Sequence, residues 1–213
     1  FMQKTWFGKA LVALCGWLLC TALASAEQED AAQRLTALLA DVHTIKADFE
    51  QLSMDANGAS IQELQGQMLL KKPGKFVWTT AEPMPQELVS DGTRVWLYDP
   101  DLLQVTIQDM DERMTHTPAL LLSGESGKIR DNFTVSYHVS GAITEFSLLP
   151  KDNDTLFDRL RLGFRNGQLN DMHLEDAVGQ KTSLYFFNVE MNLELDDDTF
   201  VFVVPAGVDG FEE

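Results

Sequence analysis

The chain has 213 residues, with 16 Lys+Arg against 33 Asp+Glu and a formal net charge of -17. That balance excludes nucleic-acid binding, which is led by Lys and Arg neutralising phosphate, and it opposes adsorption to an anionic bilayer. With 45% hydrophobic residues and 13 Phe, the composition excludes a disordered chain and fits one domain with a substantial core.

At the N-terminus, Lys4 and Lys9 flank the start of an apolar run from Ala10 to Leu23, and Ala24-Ser25-Ala26 follows. A positive segment, an apolar stretch and a small-residue triplet are the marks of a secretory signal. The run is shorter than the roughly 20 residues that span a bilayer. The expectation is a signal peptide over 1–26, cleaved after Ala26, and a single domain over 27–213. Cleavage removes two lysines and no acid, moving the net charge to -19, and it also removes Cys15 and Cys20. Leu14 and Leu19 precede those cysteines, where a lipid-attachment box needs a small residue, so the product reads as soluble rather than anchored.

The spacing of Leu35, Leu38, Leu39 and Val42 predicts a helix over Glu27 to Thr44. Glu27, Glu29 and Asp30 fall in its first turn, where the helix dipole favours acids. The period then changes to two: Ile45, Ala47 and Phe49 alternate with Lys46, Asp48 and Glu50. Asn57-Gly58 marks a turn into a strand through Ile61, Met68 and Leu70. Further strands are predicted at Phe76 to Thr80, Glu87 to Ser90, Arg94 to Tyr98 and Val105 to Ile107. Later come Phe133 to Val139, Ile143 to Leu149, Leu156 to Phe164, Leu169 to Glu175, Thr182 to Asn192 and Phe200 to Val204. Asp91-Gly92, Ser140-Gly141 and Asn166-Gly167 are hairpin signals. One stretch breaks the rhythm: Thr117-Pro118 and the run Leu120-Leu121-Leu122, closed by Gly124, predict a short apolar helix. The elements sum to one mainly β domain, a single curved antiparallel sheet with an N-terminal helix and a small helical insertion.

No catalytic pattern emerges. His43, His116, His138 and His173 are scattered without partners at ligand spacing and read as ordinary sheet or surface residues. Ser123 lacks a nucleophile elbow, and the glycines form no phosphate loop. Asp152, Asp154 and Asp158 lack the remaining ligands of a calcium loop, and Asp196-Asp197-Asp198 reads as a solvated turn. No metal, cofactor or catalytic residue is expected. What remains is a surplus of Met, Phe and Leu, suited either to a closed core or to a surface that must fit varied apolar partners.

From Gly66 to Trp78, GQMLLKKPGKFVW, the chain resembles the outer-membrane lipoprotein carrier protein family, LolA, of Gram-negative bacteria. Leu88-Val89-Ser90-Asp91-Gly92, Val95-Trp96-Leu97-Tyr98-Asp99-Pro100, Thr117-Pro118 with the leucine run, and Asn166-Gly167 fit the same pattern in order and spacing. The resemblance implies an incomplete β-barrel closed by the N-terminal helix and a short helical lid. It implies a monomeric periplasmic shuttle, not an enzyme. Such a carrier takes triacylated lipoproteins from an inner-membrane ABC-type releasing complex and passes them to the outer-membrane receptor lipoprotein LolB, without stable membrane association. Leu35, Leu39, Met68, Trp78, Trp96, Leu120 and Leu121 are expected to line the acyl-chain cavity or pack the lid. Lys72 stands where the family has a lid-latching arginine, and Phe76 at the position that contacts the inner-membrane donor. The competing expectations are a periplasmic carrier for another amphiphile, a hydrolase with a scattered site, and the anchored receptor, which the lack of a mature cysteine argues against.

Overall fold

The computed structural model describes residues 31–81, 83–110, 122, 128–152 and 157–212. The signal segment and most of the expected lid, including Leu120 and Leu121, lie outside the described residues.

A helix, α1, occupies 31–40. Ala31, Leu35 and Leu39 fall four residues apart, so one stripe of the helix is apolar and buried, with Ala32 beside it. The helix ends earlier than its periodicity predicts. Thr44 already begins a strand, its hydroxyl donating to the Leu193 carbonyl, and β-branched residues there favour extension.

Among the described residues twelve strands follow: β1 Thr44–Met54, β2 Ser60–Lys71, β3 Lys75–Thr80, β4 Gln86–Asp91, β5 Arg94–Asp99, β6 Gln104–Asp109, β7 Phe133–Ser140, β8 Ile143–Pro150, β9 Arg159–Arg165, β10 Gln168–Glu175, β11 Lys181–Met191 and β12 Asp209–Glu212. A four-residue helix, α2 Ile129–Asn132, leads into β7. The strands form one open sheet in the order β12-β6-β5-β4-β3-β2-β1-β11-β10-β9-β8-β7. Two antiparallel meanders are thus joined where the first strand pairs with the eleventh. The two ends, β12 and β7, do not pair with each other, so the barrel stays incomplete. A bulge between Lys46 and Asp48 marks the seam, with Asn188 at φ 49°, a left-handed conformation that Asn tolerates. Asn166 and Gly167 both have positive φ at the β9–β10 hairpin, as a type I′ turn requires.

Cross-strand register sorts the side chains onto two faces. The inner face carries Ile45, Ala47 and Phe49 of β1, opposite Leu70, Met68 and Gly66 of β2, which in turn face Phe76, Trp78 and Thr80 of β3. In the other meander it carries Leu184, Met172, Leu162, Phe146 and Tyr137 in one continuous row. The buried residues of this face, with Leu35, Leu39, Leu122 and Phe157, form the main core, and α1 is its cover. Gly66 makes room within it. A Cβ there would fall 2.0 Å from the Thr79 carbonyl oxygen and 2.5 Å from the Phe49 ring, which instead lies over the glycine and contacts Trp78 at 4.2 Å between centroids.

The C-terminal segment departs from expectation. Phe200 to Val204 is not a strand: Asp197–Phe200 is a 3-10 turn, and the chain runs on across the outer face of β3–β6. Phe200 is fully buried, and Phe202 lies against Trp96 and Tyr98 at 6.4 and 5.7 Å. The apolar residues there face a sheet surface rather than a neighbouring strand, so their alternation imitates a strand without one. Pairing resumes only at β12, which joins β6 in parallel.

Gly66→Ala is expected to lower unfolding stability by about 1–3 kcal/mol, because the added methyl displaces a carbonyl and an aromatic ring. Urea unfolding followed by tryptophan fluorescence reads it; an unchanged midpoint would contradict this packing.

Candidate functional site

The candidate site is the inner face of the sheet and the helix that covers it. Its apolar half spans β7–β11, β1 and β2, where the buried cluster meets α1. Its other half, over β3–β6, is more mixed. Phe76 and Val95 form a smaller buried cluster with Leu88 and Met110. Around it the inner row includes Thr80, Gln86, Ser90, Gln104, Thr106 and Gln108, and Leu97 is exposed. One face therefore runs from mainly apolar to amphipathic.

The helix is held at its C-terminal end. The Lys72 ammonium donates to the Leu39 carbonyl at 2.5 Å, and the Val42 amide donates to the same oxygen at 3.2 Å. A cation at a helix C-terminus meets the negative end of the macrodipole as well as an unsatisfied carbonyl. Lys72 is half-buried, and that burial pushes its ammonium below the usual lysine value. One flexible lysine makes this contact where a guanidinium would offer a rigid fork of donors.

Of the residues expected to line the site, Leu35, Leu39 and Met68 come together in the main core, and Trp78 packs against it. Trp96 does not join them. Its register partners are Val89 and Ile107, whereas Trp78 aligns with Leu88 and Leu97. Trp96 therefore points to the outer face, under the C-terminal segment. One step along a strand reverses the face, and without the register no count from the turn assigns it. Phe76 is only 2% exposed, beneath Leu88 and Met110.

Sequence reasoning set aside two further features. Asp197 is no bare solvated acid: its carboxylate pairs with Lys71 at 2.7 Å and Lys75 at 2.9 Å. Hydrogen bonds from the two ammonium groups hold its carboxyl down to about 2. No local signal marks it, because both lysines lie in a hairpin far earlier in the sequence. His173 sits on the outer face, its Nε2 3.1 Å from Asp171 and its Nδ1 2.9 Å from the Ser183 hydroxyl. The histidine hydrogen bond holds the Asp171 carboxyl below its usual range, with a smaller contribution from Asn170. Gly163, directly across the ladder, leaves the space that this carboxylate fills. A groove of about 440 Å3 beside His173 is lined by Arg159, Arg161 and Lys181. No group of three or more His, Cys, Asp or Glu among the described residues is arranged to hold a metal ion.

An open sheet whose apolar inner face is covered by a helix defines an unclosed half-barrel. The family model for the outer membrane lipoprotein carrier protein LolA matches residues 40–203, and the chain belongs to that family. It is similar to the outer-membrane lipoprotein carrier protein of Pseudomonas paraeruginosa, 52% identical over 193 residues, covering 91% of this chain and 93% of the relative. It is likewise similar to the protein of that name from Azotobacter vinelandii, 53% identical over 185 residues, covering 87% and 89%. The solved structure of an uncharacterized conserved protein from Thermus thermophilus shares the fold, with a TM-score of 0.54 at 10% identity, covering 87% of this chain and 98% of that one.

Because the folded Asp197 pKa lies below its unfolded value, the bridge to Lys71 and Lys75 contributes fully above about pH 4 and is lost as pH falls through about 2. Carboxyl NMR titration is expected to give Asp197 a midpoint near 2; a midpoint at the ordinary aspartate value would remove the bridge from solution.

Proposed function

We propose that the protein is a carrier for the acyl chains of lipoproteins, taking them up when α1 leaves the inner face and releasing them when it returns. The observation that carries this reading is the pairing of an apolar inner face with a helix held by few polar contacts, the Lys72 bond to Leu39 at its C-terminal end and Arg34 against Tyr137 of β7. Such a cover is complete enough to keep the empty protein in water and weak enough to be displaced. Family membership and the carrier name of the relatives at about half identity support the same conclusion.

The finer steps belong to this proposal. The chain, cut after residue 26, works as a monomer in the periplasm. It receives triacylated lipoproteins from an inner-membrane ABC-type releasing complex and hands them to the receptor lipoprotein LolB. Leu35, Leu39, Met68 and Trp78 contact acyl chains, Leu120 and Leu121 belong to the lid, and Lys72 is the latch. Phe76 contacts the donor complex, which requires Leu88 and Met110 to move aside, since they pack over it. The -19 charge of the cut chain disfavours loose association with anionic bilayers and leaves docking to protein partners.

Native mass spectrometry of the protein drawn from the periplasm tests the reading. Bound lipoprotein is the expected result, and a ligand-free chain that turns over a substrate would overturn it. A hydrolase reading has one foothold, the Asp171–His173–Ser183 chain, whose spacing is that of a nucleophile, its base and an orienting acid. It lies on the outer face, away from the apolar site. Ser183→Ala is expected to leave lipoprotein delivery intact; loss of an esterase activity in that variant would favour the hydrolase.

Lys72→Leu removes a charge-assisted bond at a half-exposed site, worth on the order of 1 kcal/mol. Delivery from the loaded variant to the receptor is expected to slow, because the closed, empty state is the one destabilised. Unchanged delivery together with unchanged amide exchange in residues 31–40 would refute the latch.

A further inference from the structure

The latch does not stand alone. Lys71, Lys72 and Lys75 fall within five residues at the end of the β2–β3 hairpin. Strand alternation sends Lys72 to the inner side, where it reaches α1, and Lys71 to the outer side. There Lys71 lies directly opposite Lys75 across the ladder. Like charges in that position repel and would splay the hairpin end that carries Lys72. The Asp197 carboxylate sits between them, at 2.7 and 2.9 Å, and the Lys71 ammonium also donates to the Leu195 carbonyl at 2.5 Å.

The same C-terminal stretch holds the other end of the latch. Asn192 Oδ1 accepts the His43 amide at 2.8 Å, and its Nδ2 donates to the Asp41 carbonyl at 3.0 Å. The Thr44 hydroxyl donates to the Leu193 carbonyl at 2.8 Å. Residues 41–44 connect α1 to β1, directly after the Leu39 carbonyl that Lys72 engages. Residues 192–197 therefore brace both the donor and the acceptor of the latch from behind.

We infer that Asp197 is a positioning residue for the carrier cycle: by bridging Lys71 and Lys75 it holds the β2–β3 hairpin so that Lys72 can close on α1. The C-terminal segment then takes part in closure as well as covering the outer face. This rests on the latch reading of Lys72 and adds a residue that touches neither cargo nor helix. Asp197 reaches its partners from an exposed turn, with 64% of its side chain accessible, so its replacement leaves the buried core untouched.

The test compares the full-length mature protein with Asp197→Asn, Asp197→Glu, Lys72→Leu and the double variant Asp197→Asn/Lys72→Leu. Two readouts are amide exchange across residues 31–40 and uptake of the neutral apolar probe N-phenyl-1-naphthylamine. Asp197→Asn is expected to raise exchange of the helix and probe uptake by about two- to fivefold, the range an exposed ion pair can support. Asp197→Glu should restore most of the closure. In the Lys72→Leu background the Asn substitution should add nothing, because its effect passes through Lys72. An equal effect in both backgrounds would make Asp197 a general stabiliser and overturn the inference. So would no effect of Asp197→Asn in a protein where Lys72→Leu does open the helix. If Lys72→Leu itself changes neither readout, the latch reading falls, and the inference built on it falls with it.

Discussion

The constraint on which this fold depends is a sheet face too apolar to be left in water and too useful to be sealed. Burying hydrocarbon contributes about 0.8 kcal/mol per CH₂, and three long acyl chains carry on the order of 40 such groups, so complete burial would approach roughly 30 kcal/mol. Noncovalent affinities stop near about 20 kcal/mol, and a carrier that buried every methylene could not release its cargo. An open sheet with an exchangeable cover meets both demands. Leu35 and Leu39 pack on the inner face, so on the proposed mechanism loading would exchange one apolar contact for another instead of creating one from water. The net preference would then be the difference between those contacts, small enough for the Lys72 bond to the helix end to bias it.

The two sides of the sheet divide the work. The inner face offers Phe49, Met68, Leu184 and Phe186 beneath α1 on one half and a mixture of Leu88, Thr80 and Gln86 on the other. That gradient suits an amphiphile whose chains and head differ in polarity. The outer face is closed in part by the C-terminal segment, through Phe200 over the strands and Phe202 over Trp96 and Tyr98. The end of the β2–β3 hairpin is the junction, with Lys72 turned inward and Lys71 and Lys75 turned outward. A structure only one sheet thick brings the two sides close enough for a charge on one to set the geometry on the other.

Much of this was legible in the sequence, for local reasons. Asn166-Gly167 could adopt the positive φ values of a tight hairpin where most residues could not, and Ile45-Lys46-Ala47-Asp48-Phe49 alternates because one face is buried. The fold class and the family followed from such signals in order. The failures share a cause, which is dependence on distant partners. Trp96 was assigned to the wrong face because face is set by register against β4 and β6. The run from Phe200 to Val204 resembled a strand because apolar residues laid over a sheet need burial without needing a ladder. Asp197 looked like one of three solvated acids until the fold brought Lys71 and Lys75 beside it.

If the inner face is the binding surface, cargo and α1 compete for it. Hydrogen–deuterium exchange of the empty carrier, set against the same carrier loaded with a triacylated lipoprotein, reads that competition. Amides of residues 31–40 are expected to lose protection on loading while those of β1, β2 and β9–β11 keep theirs. A helix that stays as protected with cargo bound as without it would contradict the competition.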